Sequence, residues 1–87
     1  NYLAASLTTL SHKHGCGEIR GQGLLRALDL KHDVSTTVVE LARRRGLLIN
    51  GPRPDSLRFM PALTVSDAEI DDMIAILDTV LGDTIPA

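Results

Sequence analysis

The sequence predicts a small two-layer α/β (α+β) domain: a short mixed or antiparallel sheet of three to four strands with helices packed on one side, in the order α-β-α-β-β-α. Three observations carry this. Apolar residues recur at helical spacing near both ends, short apolar runs of strand length lie between glycine- and proline-rich turns, and no internal repeat or low-complexity segment interrupts them. With 87 residues the chain is one domain at most, residues 1–87, with a marginal core.

The first element rests on Leu3, Leu7 and Leu10, one stripe of an amphipathic helix from about Tyr2 to Lys13, with Gly15 as its stop. Leu24 to Leu30 then reads as a strand reached through Gln22 and Gly23, with leucines on both faces. A strand apolar on both faces is normally covered on both, and three short helices are few for that task, so something outside the chain is expected to cover the second side.

Lys31-His32-Asp33 is a polar turn, after which Ser35 or Thr36 is expected to cap a helix carrying Val38, Val39, Leu41 and Ala42. Arg43, Arg44 and Arg45 close it, as cations suit the carbonyl end of a helix. Leu47-Leu48-Ile49 reads as a short strand, and residues 50–55 as a loop leading into a last strand around Leu57-Arg58-Phe59. Pairing should fade at Pro61, which lacks a ladder donor.

Ser66 and Glu69 have capping-box spacing, with Asp67 adding favourable charge at the helix start. Ile70, Met73, Ile74, Leu77 and Leu81 then form a continuous stripe, which Gly82 is expected to end. The acidic residues of this helix, including Asp78, fall mostly off the stripe and read as a solvated face.

Composition excludes several functions. A net charge of −2 and only two aromatic residues, Tyr2 and Phe59, leave neither a basic surface nor a stacking platform for nucleic acid. No apolar run approaches a membrane span, no secretory signal is visible, and a single cysteine, Cys16, fits a reducing compartment, so a cytoplasmic location is expected. His12, His14 and Cys16 lack metal-site spacing, and no metal is expected. Gly21-Gln22-Gly23 precedes a strand where a dinucleotide fingerprint follows one. No nucleophilic triad is identifiable, because nothing in the sequence orients the three histidines.

Arg58 stands apart. It interrupts an apolar run, and period-2 alternation sends it to the face opposite Leu57 and Phe59. A guanidinium keeps its charge, so it must reach water, an internal carboxylate or the carboxylate of a ligand. Local sequence leaves these open.

Taken in series, Ile19-Arg20-Gly21-Gln22-Gly23-Leu24-Leu25, Arg45-Gly46-Leu47-Leu48-Ile49, Leu57-Arg58-Phe59-Met60-Pro61-Ala62-Leu63 and the capped last helix closely resemble the C-terminal small domain of class III aminotransferases. These are fold-type-I pyridoxal phosphate enzymes that include acetylornithine, ornithine and 4-aminobutyrate aminotransferases. The resemblance implies that Arg58 binds the α-carboxylate of an amino-acid substrate, notably glutamate. It also implies amino-group transfer between an amino acid such as acetylornithine and 2-oxoglutarate, and packing against a large domain within a homodimer.

The family's catalytic lysine and its cofactor contacts belong to that large domain. Lys13 and Lys31, the only lysines here, do not match its context, so this chain is expected to supply no catalytic and no cofactor-binding residue and not to bind pyridoxal phosphate alone. Ala27 stands where many members carry glycine. A start at Asn1, almost within a helix, fits a piece of a longer protein. The alternative is a free-standing, non-catalytic module that binds a small carboxylate or a protein partner.

Overall fold

A computed structural model describes residues 2–23, 25–60 and 65–85. Seven elements follow one another: α1 (Tyr2–His14), β1 (Ile19–Gln22), β2 (Leu25–Asp29), α2 (Ser35–Arg44), β3 (Asn50–Arg53), β4 (Ser56–Phe59) and α3 (Asp67–Thr84). The order is thus α-β-β-α-β-β-α, with one strand more than the expected α-β-α-β-β-α. The sheet is antiparallel throughout, in the spatial order β1-β2-β4-β3.

The added strand is β1. Gly21 adopts φ 111°, and a Cβ there would lie 2.0 Å from the Leu25 carbonyl oxygen, so only glycine lets β1 and β2 approach this closely. Arg26 clips the connection by donating from Nε to the Gly23 carbonyl (2.8 Å) and from an Nη to the Gly21 carbonyl (2.9 Å).

Leu47-Leu48-Ile49 is not a strand. The third strand begins at Asn50, inside the stretch expected to be a loop, and Leu48 is 82% exposed. Asn50 pairs with Arg58 and Arg53 with Ser56, so β3 carries one residue more than β4 between those pairs. Such a bulge suits an edge strand and accommodates Pro52, which has no N–H to give. Pro54 and Asp55 are left as a tight hairpin turn.

The helices share one side of the sheet. α1 packs on β1 and β2, α2 on β3 and β4, and α3 against both α1 and α2. Leu28, Leu57 and Phe59 from the sheet join Leu3, Leu7, Leu10, Val38, Leu77 and Leu81 from the helices in one buried cluster. The first and last helices are tied again at their ends, where Lys13 Nζ and His14 Nε2 meet the two oxygens of Asp78 at 2.9 and 2.7 Å. Asp78 is therefore bonded rather than merely solvated, and His14 is oriented by it.

Helix boundaries follow local chemistry with two departures. Gly15, at φ 68°, ends α1 in the left-handed region as expected. The capping box forms fully, Ser66 accepting from the Glu69 N–H while the Glu69 carboxylate accepts from the Ser66 N–H. Gly82 does not stop α3, which continues to Thr84. Ile85 is extended (φ −91°, ψ 128°), the conformation imposed on a residue before proline, here Pro86. Neither Ser35 nor Thr36 caps α2: the N-cap is Val34, without a side-chain bond, and the buried Ser35 hydroxyl donates instead to the Arg53 carbonyl at 2.6 Å. Leu24 and Pro61, with the expectations attached to them, lie outside the described residues.

Candidate functional site

The face of the sheet turned away from the helices carries the candidate site. Register fixes its membership: Arg20 lies opposite Ala27, Ala27 opposite Arg58 and Arg58 opposite Asn50, so these residues form a row across four strands. The next row toward the helices' side of the pleat, Ile19, Leu28 and Leu57, points into the core. Burial of Leu57 and Phe59 thus forces Arg58 outward.

Arg58 is exposed, and among the described residues it forms no ion pair. Two carboxylates, Asp29 and Asp55, line a depression with it, and among the described residues neither forms an ion pair with it. Arg20 has a partner, Glu18 at 3.5 Å, but both side chains are at least 70% exposed and the contact is loose. Two shallow depressions, of about 390 and 460 Å³, meet over Arg20, Ala27 and Arg58. One runs toward Asp29, Arg53, Asp55 and Ser56 and is polar; the other runs toward Leu25 and Met60 and is apolar. Leu25 and Met60 are more than half exposed, which answers the expectation of apolar surface on the second side of the sheet.

Two further reactive groups, Cys16 and Ser11, are buried. Burial, with the nearby Asp29 charge, pushes the Cys16 thiol above its ordinary range and disfavours a thiolate. Ser11 is buried with its hydroxyl donating to the Gly17 carbonyl. Among the described residues no group of three or more histidine, cysteine and carboxylate side chains is placed to hold a metal ion. No helix among them is long and apolar enough to cross a membrane.

This chain therefore presents an arginine on a small sheet, held by a helix-covered core, as its one sequence-predicted site residue. In the sequence Arg20 stands out only as part of the Ile19-Arg20-Gly21-Gln22-Gly23 motif. Its place beside Arg58 was hidden because β1 shows no alternating pattern, and without that strand no face could be assigned.

The sequence profile of the class III aminotransferases matches residues 1–81, and the chain belongs to that family. Its relatives include acetylornithine aminotransferase of Ralstonia nicotianae, 53% identical over 83 residues, which cover 92% of this chain and 21% of the relative. Among solved structures, lysine aminotransferase from M. tuberculosis superposes with a TM-score of 0.87 at 32% identity, over 94% of this chain and 20% of that one. N-acetylornithine aminotransferase from Stenotrophomonas maltophilia K279a gives 0.85 at 26% identity, over 93% and 23%. The chain spans about a fifth of the length of these relatives.

Class III aminotransferases depend on pyridoxal phosphate. The lysines of this chain do not fit the part of a cofactor ligand. Lys13 is paired with Asp78 on the helical side, and Lys31 stands in the turn after β2, outside both depressions around Arg58.

Proposed function

We propose that this chain is the C-terminal small domain of an aminotransferase that moves an amino group between an amino acid, acetylornithine or a close analogue, and 2-oxoglutarate. In this reading Arg58 binds and orients the α-carboxylate of glutamate or 2-oxoglutarate. The observation that carries it is an exposed guanidinium, without a carboxylate partner among the described residues, projecting from a strand whose neighbours on either side are buried.

The physical case is the fit of donor to acceptor. A guanidinium presents two parallel N–H groups to the two oxygens of a carboxylate, and such charge-assisted bonds are worth about 1.5–3 kcal/mol. The strand supplies the orientation: Leu57 and Phe59, both essentially inaccessible, hold the backbone on either side of Arg58. Cofactor chemistry belongs, in this reading, to a large domain elsewhere in the polypeptide, with a second subunit completing a cytoplasmic homodimer.

The test is Arg58→Ala in the full-length enzyme. The Michaelis constant for glutamate or 2-oxoglutarate should rise at least about tenfold, equivalent to about 1.4 kcal/mol of binding. An unchanged constant would refute the assigned role.

A further inference from the structure

Asn50 is followed by Gly51, and the pair opens the edge strand β3. Asparagine before glycine is chemically labile, because no side chain shields the glycine nitrogen from the asparagine carboxamide. The fold keeps the sequence in this setting. A Cβ at position 51 would lie 3.1 Å from both Ser35 Cβ and Ser35 Oγ and 3.2 Å from Val39 Cγ2, so any larger residue would crowd the start of α2.

A regular strand protects such a pair by fixing its amides in a ladder, but β3 is irregular at this point. Its aligned pairs are Asn50 with Arg58 and Arg53 with Ser56, and the register shifts between them, which puts Gly51 and Pro52 in the bulge. All four residues of β3 are exposed, and among the described residues the Asn50 side chain forms no hydrogen bond that would hold it away from the Gly51 nitrogen.

We infer that Asn50 is a site of spontaneous deamidation, and that the carboxylate formed there pairs with Arg58 and takes it out of use. The Gly51 backbone nitrogen attacks Asn50 Cγ and forms a C–N bond. The Cγ–Nδ2 bond breaks, and ammonia leaves with the proton that the Gly51 nitrogen gave up. Water then opens the five-membered imide, at the side-chain carbonyl to give aspartate or at the main-chain carbonyl to give isoaspartate, with no oxidation or reduction. Either product replaces a neutral amide by a negative charge directly across the ladder from Arg58. The existing carboxylates of the depression are placed differently: Asp29 is aligned with Ser56, two residues along β4, and Asp55 lies in the turn. The effect on activity rests on the proposed role of Arg58, whereas the modification itself does not.

The experiment ages the full-length enzyme in mildly alkaline, isotopically labelled water beside a synthetic peptide of residues 47–53. Peptide mass spectrometry and enzymatic isoaspartate methylation follow position 50. Asn50 should exchange its amino group for a hydroxyl carrying the label, with isoaspartate exceeding aspartate, and Asn50→Gln should stay intact. The Michaelis constant for 2-oxoglutarate should rise about two- to fivefold on ageing, as suits an exposed cross-strand ion pair, and Asn50→Asp should show that rise when fresh. Asn50→Gln should give the same constant before and after ageing. An intact Asn50 in the enzyme when the peptide is fully converted would overturn the modification. Conversion without a rise, or an equal rise in aged Asn50→Gln, would overturn the pairing with Arg58 if Arg58→Ala raises the constant. No rise in either the aged enzyme or Arg58→Ala would instead overturn the underlying reading of Arg58, with deamidation at Asn50 upheld by its own mass signature.

Discussion

Leu57 and Arg58 are consecutive residues with opposite energetic roles, and replacing each in turn by alanine tests the sheet's orientation directly. Leu57 is fully inaccessible and lies opposite Leu28 in the core. Leu57→Ala removes three carbons, which at about 0.8 kcal/mol each gives about 2.4 kcal/mol of lost transfer free energy. The surrounding α1, α2 and α3 side chains close the resulting cavity only in part, which raises the cost within the range of about 2–5 kcal/mol. A domain of this length has a total stability on the order of 4–13 kcal/mol, so this one change removes a large share of it. Arg58→Ala, on the exposed face, should cost less than about 0.5 kcal/mol. Urea unfolding followed by circular dichroism measures both midpoints. Comparable losses for the two variants would show that β4 does not present Leu57 inward and Arg58 outward, and the site would have to be abandoned with it.

Two further changes probe the helical side. Ser66→Ala removes the hydroxyl that accepts the Glu69 N–H and should lower stability by about 1 kcal/mol, read from the same unfolding curves. Hydrogen bonds from Lys13, and then from His14, hold the Asp78 carboxyl below its ordinary value. A depressed carboxylate contributes stability that is present above its unfolded value, roughly 4, and is lost as pH falls through the lower folded value. Asp78→Asn should therefore be destabilised near neutrality, by no more than about 1 kcal/mol because the carboxylate is over a third exposed, and should match the parent at strongly acid pH. A gap between the two that persists unchanged into acid would remove the ion pairs as its cause.

What was legible in the sequence were the elements whose own residues decide them. The capping box announces α3 because Ser66 and Glu69 satisfy each other's backbone donors within one turn. Alternation around Arg58 was readable because both neighbours are large and apolar. The outer strands were not. β1 contains Gly21 and Gln22 and buries almost nothing, while β3 is Asn50-Gly51-Pro52-Arg53, every residue exposed. Both exist because a central strand offers them a ladder, a signal that local propensity does not contain. Leu47-Leu48-Ile49 misled for the converse reason: it has strand composition but no strand to pair with. Gly82 misled because a glycine at a helix end is a stop only where the chain must turn there, and the turn is made later, at Ile85.

The Pro54-Asp55 turn looks like a disposable surface tip, the kind of place where a tag or a protease site is usually introduced. Its bonding says otherwise. The Pro54 carbonyl accepts the Ser35 N–H at 2.9 Å, the Asp55 carbonyl accepts the Leu30 N–H at 2.7 Å, and the adjacent Arg53 carbonyl takes the Ser35 hydroxyl. Three acceptors in a row thus serve as the peg on which the segment between β2 and α2 hangs. Lengthening that tip would unseat the start of α2 as well as the hairpin. Anyone engineering the molecule would do better to insert at Arg45 and Gly46, where both residues are exposed and the left-handed glycine already lets the chain change course.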